Sequence, residues 1–178
     1  MLKAHRIRLN PTDEQAQYFW RASGIARLAW NWGLAEYNRR KDEGVEKVKI
    51  IGKGDTLKNE FSALKAQEFP FVLETTTYAW QQAFIDLQKA ISRYFDLKKK
   101  GLLVRPKGTK PRKDGKPFGW PRFKARGKST PAFYEANTGL RFDGHTVKLP
   151  KIGQVNMAEE LRFNGKVMGA RITYCAGH

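Results

Sequence analysis

Apolar positions recur along this chain with two different periods. Residues 3–9, KAHRIRL, alternate, with Ile7 and Leu9 on one face and Arg6 and Arg8 on the other, which predicts a strand. Pro11 stops it. Thr12 and Gln15 then form a capping-box pattern, and Asp13 and Glu14 suit the positive end of a helix. A helical run is expected from about Thr12 to near Gly44, with a stripe of Ile25, Leu28, Ala29 and Trp32; Ser23-Gly24 is where it could break or bend. Asp55 is placed to cap a second helix carrying Leu57, Phe61 and Leu64, which Pro70 closes. The clearest helix runs from about Thr75 to Lys99, with Trp80, Phe84, Leu87, Ile91 and Tyr94 spaced four, three, four and three apart. Three such amphipathic segments pack into a small bundle.

From about Phe133 the period shortens. Asp143-Gly144 and Asn164-Gly165 are hairpin signals. Around them stand Leu140 and Phe142, Val147 and Leu149, Ile152 and Val155, Leu161 and Phe163, then Met168, Ala170, Ile172 and Tyr174 in alternation. A lone strand cannot satisfy its backbone, so residues 3–9 are expected to join this C-terminal sheet. The predicted fold is α+β: a small antiparallel β-barrel with a helical bundle inserted near the N-terminus. Its segments are residues 1–10 (first strand), 11–100 (helical insertion), 101–130 (basic linker) and 131–178 (remainder of the β domain).

Charge changes the picture. The chain has 178 residues, with 34 Lys and Arg against 17 Asp and Glu, a formal net charge of +17. Hydrophobic residues make up 40% and aromatic residues 12%, too apolar for a disordered basic tail. Between Arg93 and Lys128, fourteen basic residues oppose Asp96 and Asp114, so this window supplies +12 of the total. Cations this dense repel one another unless an anion screens them, and a phosphate backbone does so while releasing counterions. A nucleic-acid partner follows.

Other classes recede. No stretch approaches the roughly 18–20 apolar residues of a membrane span, and MLKAHRIRLNPTDEQ has no signal-peptide core. The single Cys175 cannot form an internal disulfide, which favours a reducing, cytoplasmic setting. One cysteine with His5, His145 and His178 gives no zinc-ligand spacing, and these histidines have no partners at catalytic spacing. GxxxxGK[ST], GxSxG and HExxH are missing, and no cofactor is implied. Two-metal hydrolysis needs carboxylates converging on ions about 4 Å apart, whereas the acids here are scattered. Glu159-Glu160 would point to opposite faces of a strand.

Five motifs in order carry a family resemblance: KAHRIRLNPTDEQ at 3–15, GIARLAWNWGLAEY at 24–37, TTTYAWQQAFIDLQKAISRYF at 75–95, GWPRFKARGKS at 119–129 and VKLPKIGQV at 147–155. From Lys3 to about Tyr174 the chain resembles the N-terminal half of TnpB, the transposon-encoded RNA-guided DNA endonucleases related to type V CRISPR effectors. This region is also described as a transposase helix-turn-helix. The resemblance implies a wedge-like barrel with an inserted recognition domain, holding guide RNA, the guide–target heteroduplex and a short duplex motif beside the target. It also implies that a RuvC-type nuclease half, with three carboxylates and a four-cysteine zinc motif, follows. This sequence is expected to end before it, since the last strand reaches Cys175 and stops three residues later. The expectation is a binding lobe with no catalytic residues of its own. The rival readings are a fragment of a complete nuclease and a guide-free helix-turn-helix DNA-binding regulator.

Candidate contacts fall into three groups. Arg122, Lys124, Arg126 and Lys128, with Arg112 and Lys116 upstream, suit RNA phosphates, while Trp120 and Phe123 either stack on bases or anchor the linker. The resemblance places Thr77, Gln81 and Asn137 against target-adjacent duplex DNA; Gln can bridge adenine N6 and N7. Other members can carry Lys where Thr77 stands, which implies a different motif here. Arg6, Arg8 and Arg27 are further RNA candidates, with Arg21, Asn31, Arg39 and Arg40 near them; Asn31 has the alternative of bonding within the bundle.

Overall fold

The structure, a computed structural model, describes residues 3–175. The outermost ends of the first and last expected segments, and His178, lie outside the described residues.

Helix α1 spans Asp13–Asp42. Its capping box is complete: Thr12 Oγ1 accepts from the Gln15 amide at 3.3 Å, and Gln15 Oε1 accepts from the Thr12 amide at 3.1 Å. Asp13 and Glu14 occupy the first turn and Arg39, Arg40 and Lys41 the last, matching the helix dipole. Ser23-Gly24 does not interrupt it. Ser23 is buried among helix contacts, and packing outweighs the roughly 1 kcal/mol that glycine costs a helix. The buried face also differs from the expected stripe. Ile25 and Ala29 are buried, but Leu28 and Trp32 are only half-buried, and Tyr18, Ala22, Ala26, Trp30, Gly33, Leu34 and Tyr37 complete the face. Small residues set it. A Cβ on Gly33 would lie 2.9 Å from Phe84 and 3.0 Å from Leu87, so glycine permits the close crossing of α1 and the third helix.

Helix α2 is Leu57–Glu68. Its cap is the buried Thr56, whose hydroxyl accepts from the Asn59 amide at 3.3 Å, and not Asp55. Leu57 and Phe61 are fully buried, whereas Leu64 is half-buried. After a 3-10 turn at Pro70–Glu74, helix α3 runs Thr77–Lys99, capped by Thr76. All five of its expected core positions are buried. Phe61 sits between Phe84 (5.4 Å between ring centres), Trp80 (5.6 Å) and Trp32 (5.3 Å).

The described residues form six strands: β1 (Leu9–Asn10), β2 (Ala132–Ala136), β3 (Arg141–Asp143), β4 (Thr146–Leu149), β5 (Gly153–Met157) and β6 (Gly169–Thr173). β1 does join the C-terminal sheet, pairing Leu9 with Met157. It is two residues long, not seven, because its partner strand ends at Met157 and only one further bond, from the Ala158 amide to the Arg8 carbonyl, extends the pairing. Asp143-Gly144 turns β3 into β4 as expected. Asn164-Gly165 turns no hairpin: β6 pairs back to β2, with Phe133 opposite Ile172, leaving Leu161 and Phe163 in irregular chain. A hairpin not foreseen joins β4 to β5 through Pro150–Ile152, where Lys151 takes a left-handed φ of 69°.

The described strands form two open antiparallel sheets, β1-β5-β4-β3 and β2-β6, and no closed barrel. The fold is therefore α+β with helices packed on sheet. Phe133 of β2 belongs to the helical core, and Ile152 and Ile172 pack against it. Leu140, Val147, Leu149, Val155 and Met157 form a second core, and Phe19 of α1 touches both.

Candidate nucleic-acid interface

The basic segment lies along α1 through side chains that act as a strand edge. Asn31 Nδ2 donates to the Lys124 carbonyl at 2.9 Å, and Asn31 Oδ1 accepts from the Lys124 amide at 2.8 Å. Trp30 Nε1 donates to the Arg122 carbonyl at 2.9 Å. Asn31 thus bonds within the protein and fixes the backbone of 122–124. Arg122, Phe123, Arg126 and Lys128 are left exposed, Phe123 by 53%. None of these three cations enters an ion pair among the described residues.

Trp120 faces inward. Its ring packs against Tyr94 at 4.9 Å, Tyr37 at 5.9 Å and Phe95 at 6.0 Å, and its Nε1 donates to Asn38 Oδ1 at 3.2 Å. Of the two aromatics singled out in the segment, Phe123 is the one that presents a free face. Arg112 is a clasp: its side chain is 11% exposed, donates to the Trp120 carbonyl at 2.6 Å and pairs with Asp114. Lys116 Nζ lies 3.2 Å from Asp42 at the end of α1. Lys124 is half-buried, with Nζ 4.1 Å from the centre of the Trp30 ring.

The second group converges at the start of α3. Thr77 is exposed on its first turn, and Gln81 follows one turn on, half-buried. Asn137 opens the 3-10 turn Asn137–Gly139, and the Tyr78 hydroxyl is 3.0 Å from Thr138 Oγ1, so this turn is tied to the same helix end. Beneath lies Glu135 of β2, 1% exposed. Burial pushes its carboxyl pKa up, against the opposing pull of the Thr76 hydroxyl and the Ala136 amide. Glu135 Oε1 and Thr75 Oγ1 are buried without partners. Tyr18 Oη accepts from the Thr76 amide at 2.9 Å. Sequence reasoning missed Glu135; the available signal was an acid at an inward position of the alternating run AFYEA.

The third group divides. Arg8 and Arg21 are exposed, and Arg6, also exposed, donates to Cys175 Sγ at 3.0 Å. Arg27 is half-buried on α1. Arg39 and Arg40 serve the bundle: both bind Glu36, while Arg39 adds Glu43 and Arg40 adds Glu60 of α2. The Arg39 guanidinium, with that of Arg40, holds the Glu36 carboxyl down to about 2. His5 lies 3.4 Å from Glu159 and His145 lies 3.6 Å from Glu160. Among the described residues no three His, Cys, Asp or Glu side chains gather to hold a metal ion, and no helix is long and apolar enough to cross a membrane.

Comparison with known proteins adds two findings. Residues 1–44 match a family model described as a helix-turn-helix domain, that of OrfB proteins of the IS605 group. Within those residues the structure has β1 and the continuous α1, not two helices joined by a turn. Over 176 residues, 99% of this chain, the sequence is 23% identical to the putative RNA-guided DNA endonuclease InsQ of Escherichia coli (strain K12), of which the chain spans 38%. The ordered motifs, the domain match at the N-terminus and the similarity to InsQ agree, and the chain fits the N-terminal part of a TnpB-family protein.

Proposed function

We propose that this chain is a nucleic-acid-binding lobe that holds a structured guide RNA and helps read a duplex motif beside the target, without itself cutting DNA. The helix-turn-helix match favours DNA binding in general terms. The observation that carries the finer reading is the pinned basic segment. Asn31 and Trp30 tie down the backbone of residues 122–124, and Arg122, Arg126 and Lys128 stand exposed on and just after that anchored stretch. A solvated spacer has no need of that anchorage. Such cations bind a phosphate backbone at reduced ordering cost, and Phe123 is free to stack on a base. Arg6, Arg8 and Arg27 would extend the RNA contact. Arg112, Lys116 and Trp120 would act by holding the segment in place.

Thr77, Gln81 and Asn137 would meet the duplex edge, with sequence choice in the target left to base pairing. The helical part, residues 11–100, would serve as the recognition domain and the two sheets as a wedge domain. Any cleavage by a longer protein of this kind would use residues outside this chain. The guide-free helix-turn-helix regulator is disfavoured by the unbroken α1.

The test is binding of a structured RNA and of duplex DNA by fluorescence anisotropy across a salt series. Replacing Arg122, Arg126 and Lys128 together by Ala should flatten the slope of log affinity for RNA against log salt by about 2, since each single-strand phosphate contact contributes about 0.7. An unchanged slope would remove the segment from the interface.

A further inference from the structure

A cleft of about 60 Å³ lies where α1, the first turns of α3, the basic segment and β6 meet. Arg27, Lys124 and Arg171 reach it from three of these elements. Asp86 is the one acid in its lining, and both carboxylate oxygens are taken: Arg171 bonds Oδ2 at 2.5 Å and Gln82 Nε2 donates to Oδ1 at 2.8 Å. Three cations against one acid leave the lining with a net charge of +2.

Lys124 is the unusual member. Its backbone is pinned on both sides by Asn31, so the side chain cannot leave with the segment. Its ammonium is half-buried and forms no ion pair among the described residues. Burial pushes its pKa down; the charge of Asp86 opposes this, and that of Arg171 adds to it. The Trp30 face offsets part of the cost of that burial, while the acid in the lining, Asp86, already has both oxygens bonded to Arg171 and Gln82, so this partly desolvated cation has no ion pair of its own. Arg27 lines the same cleft and forms no ion pair among the described residues. The volume is far below the ~300–1,000 Å³ of small-molecule pockets. It suits one compact oxyanion.

We propose that this cleft clasps a single backbone phosphate of a bound RNA strand, gripped by Lys124 and Arg27, with Arg171 held in place by Asp86. The assignment rests on the nucleic-acid reading above and deepens it, by separating one built phosphate site from the exposed cations of the segment. Arg171 and Asp86 enter the interface only through the three-dimensional fold.

The test uses the whole chain. Reductive methylation of Lys124 is followed by peptide mass spectrometry in chloride, in inorganic phosphate at equal ionic strength, and with a short single-stranded RNA. Phosphate and RNA should both slow modification of Lys124 relative to chloride, and phosphate should leave the exposed Lys128 unaffected. Lys124→Met, which keeps an apolar stem against Trp30, should weaken RNA binding about tenfold, as expected for losing a charge-assisted bond, while thermal stability holds or rises. Lys128→Ala should cost about twofold, as for an exposed ion contact.

Equal modification rates in phosphate and chloride would overturn the proposal. So would unchanged RNA affinity in Lys124→Met; phosphate protection in that case would mark a site for free phosphate instead. A wild-type chain that binds neither RNA nor duplex would overturn the broader reading and the backbone assignment together, and phosphate protection of Lys124 alone would tell that failure from loss of the oxyanion site.

Discussion

Glu135 carries more consequence than its neighbours because its carboxyl is buried without a cation. Its pKa in the folded chain lies above the ordinary 4.5, chiefly through desolvation. The folded state therefore keeps a proton that the unfolded chain has released, and the contribution of this group to stability falls as pH rises from about 4.5 through the folded value. Glu135→Gln should abolish that fall, seen as a flatter dependence of Tm on pH and a higher Tm at neutral pH than the parent. Two glycines of α1 make a paired prediction. Gly33→Ala would force a Cβ to within 2.9 Å of Phe84 and should destabilise by about 1–3 kcal/mol. Gly24→Ala meets nothing nearer than Arg27 at 4.0 Å and should stabilise by about 0.5–1 kcal/mol. Chemical denaturation of the two variants checks both signs. At this scale the sequence hid what depends on small side chains. Glycine and alanine carry little weight in a pattern of large apolar residues, yet Ala22, Ala29 and Gly33 lie on the buried face of α1, and Gly33 is where α3 crosses it.

Among the elements, α3 was legible in full, because its apolar residues are large and strictly periodic and every one reaches the core. The start of α1 was equally plain, since a capping box is a local device that needs no tertiary partner. The strands were less so. Asn164-Gly165 has hairpin chemistry, but β6 gains its hydrogen bonds from β2, more than thirty residues earlier in the chain. A turn signal states what the backbone tolerates and not which strand it will meet. The Lys151 turn went unseen because a non-glycine residue adopts the left-handed conformation there. The candidate interface shows the same division. The density of cations in 93–128 marks the segment, but which residues point outward depends on Asn31 and Trp30 of α1. Asn31→Ala should free the segment: limited proteolysis within residues 101–130 should accelerate several-fold over the parent while the circular dichroism of the helices is unchanged. Equal cleavage rates would show that the two side-chain bonds do not hold it.

At the scale of the molecule, the helices and open sheets of the described residues bring a pinned basic segment, the N-terminal end of α3 and the turn at Asn137–Gly139 into one framework. A net charge of +17 alone would bind any polyanion. What separates a specific guide-binding lobe from a generally sticky cation is the fixed geometry of those cations. The direct measurement is to purify the chain from its host, wash it at high salt and sequence the RNA that stays bound. One dominant structured transcript surviving the wash is the expected result. A heterogeneous mixture of RNAs, lost steadily as salt rises, would contradict the account and reduce the basic segment to unspecific polyanion binding.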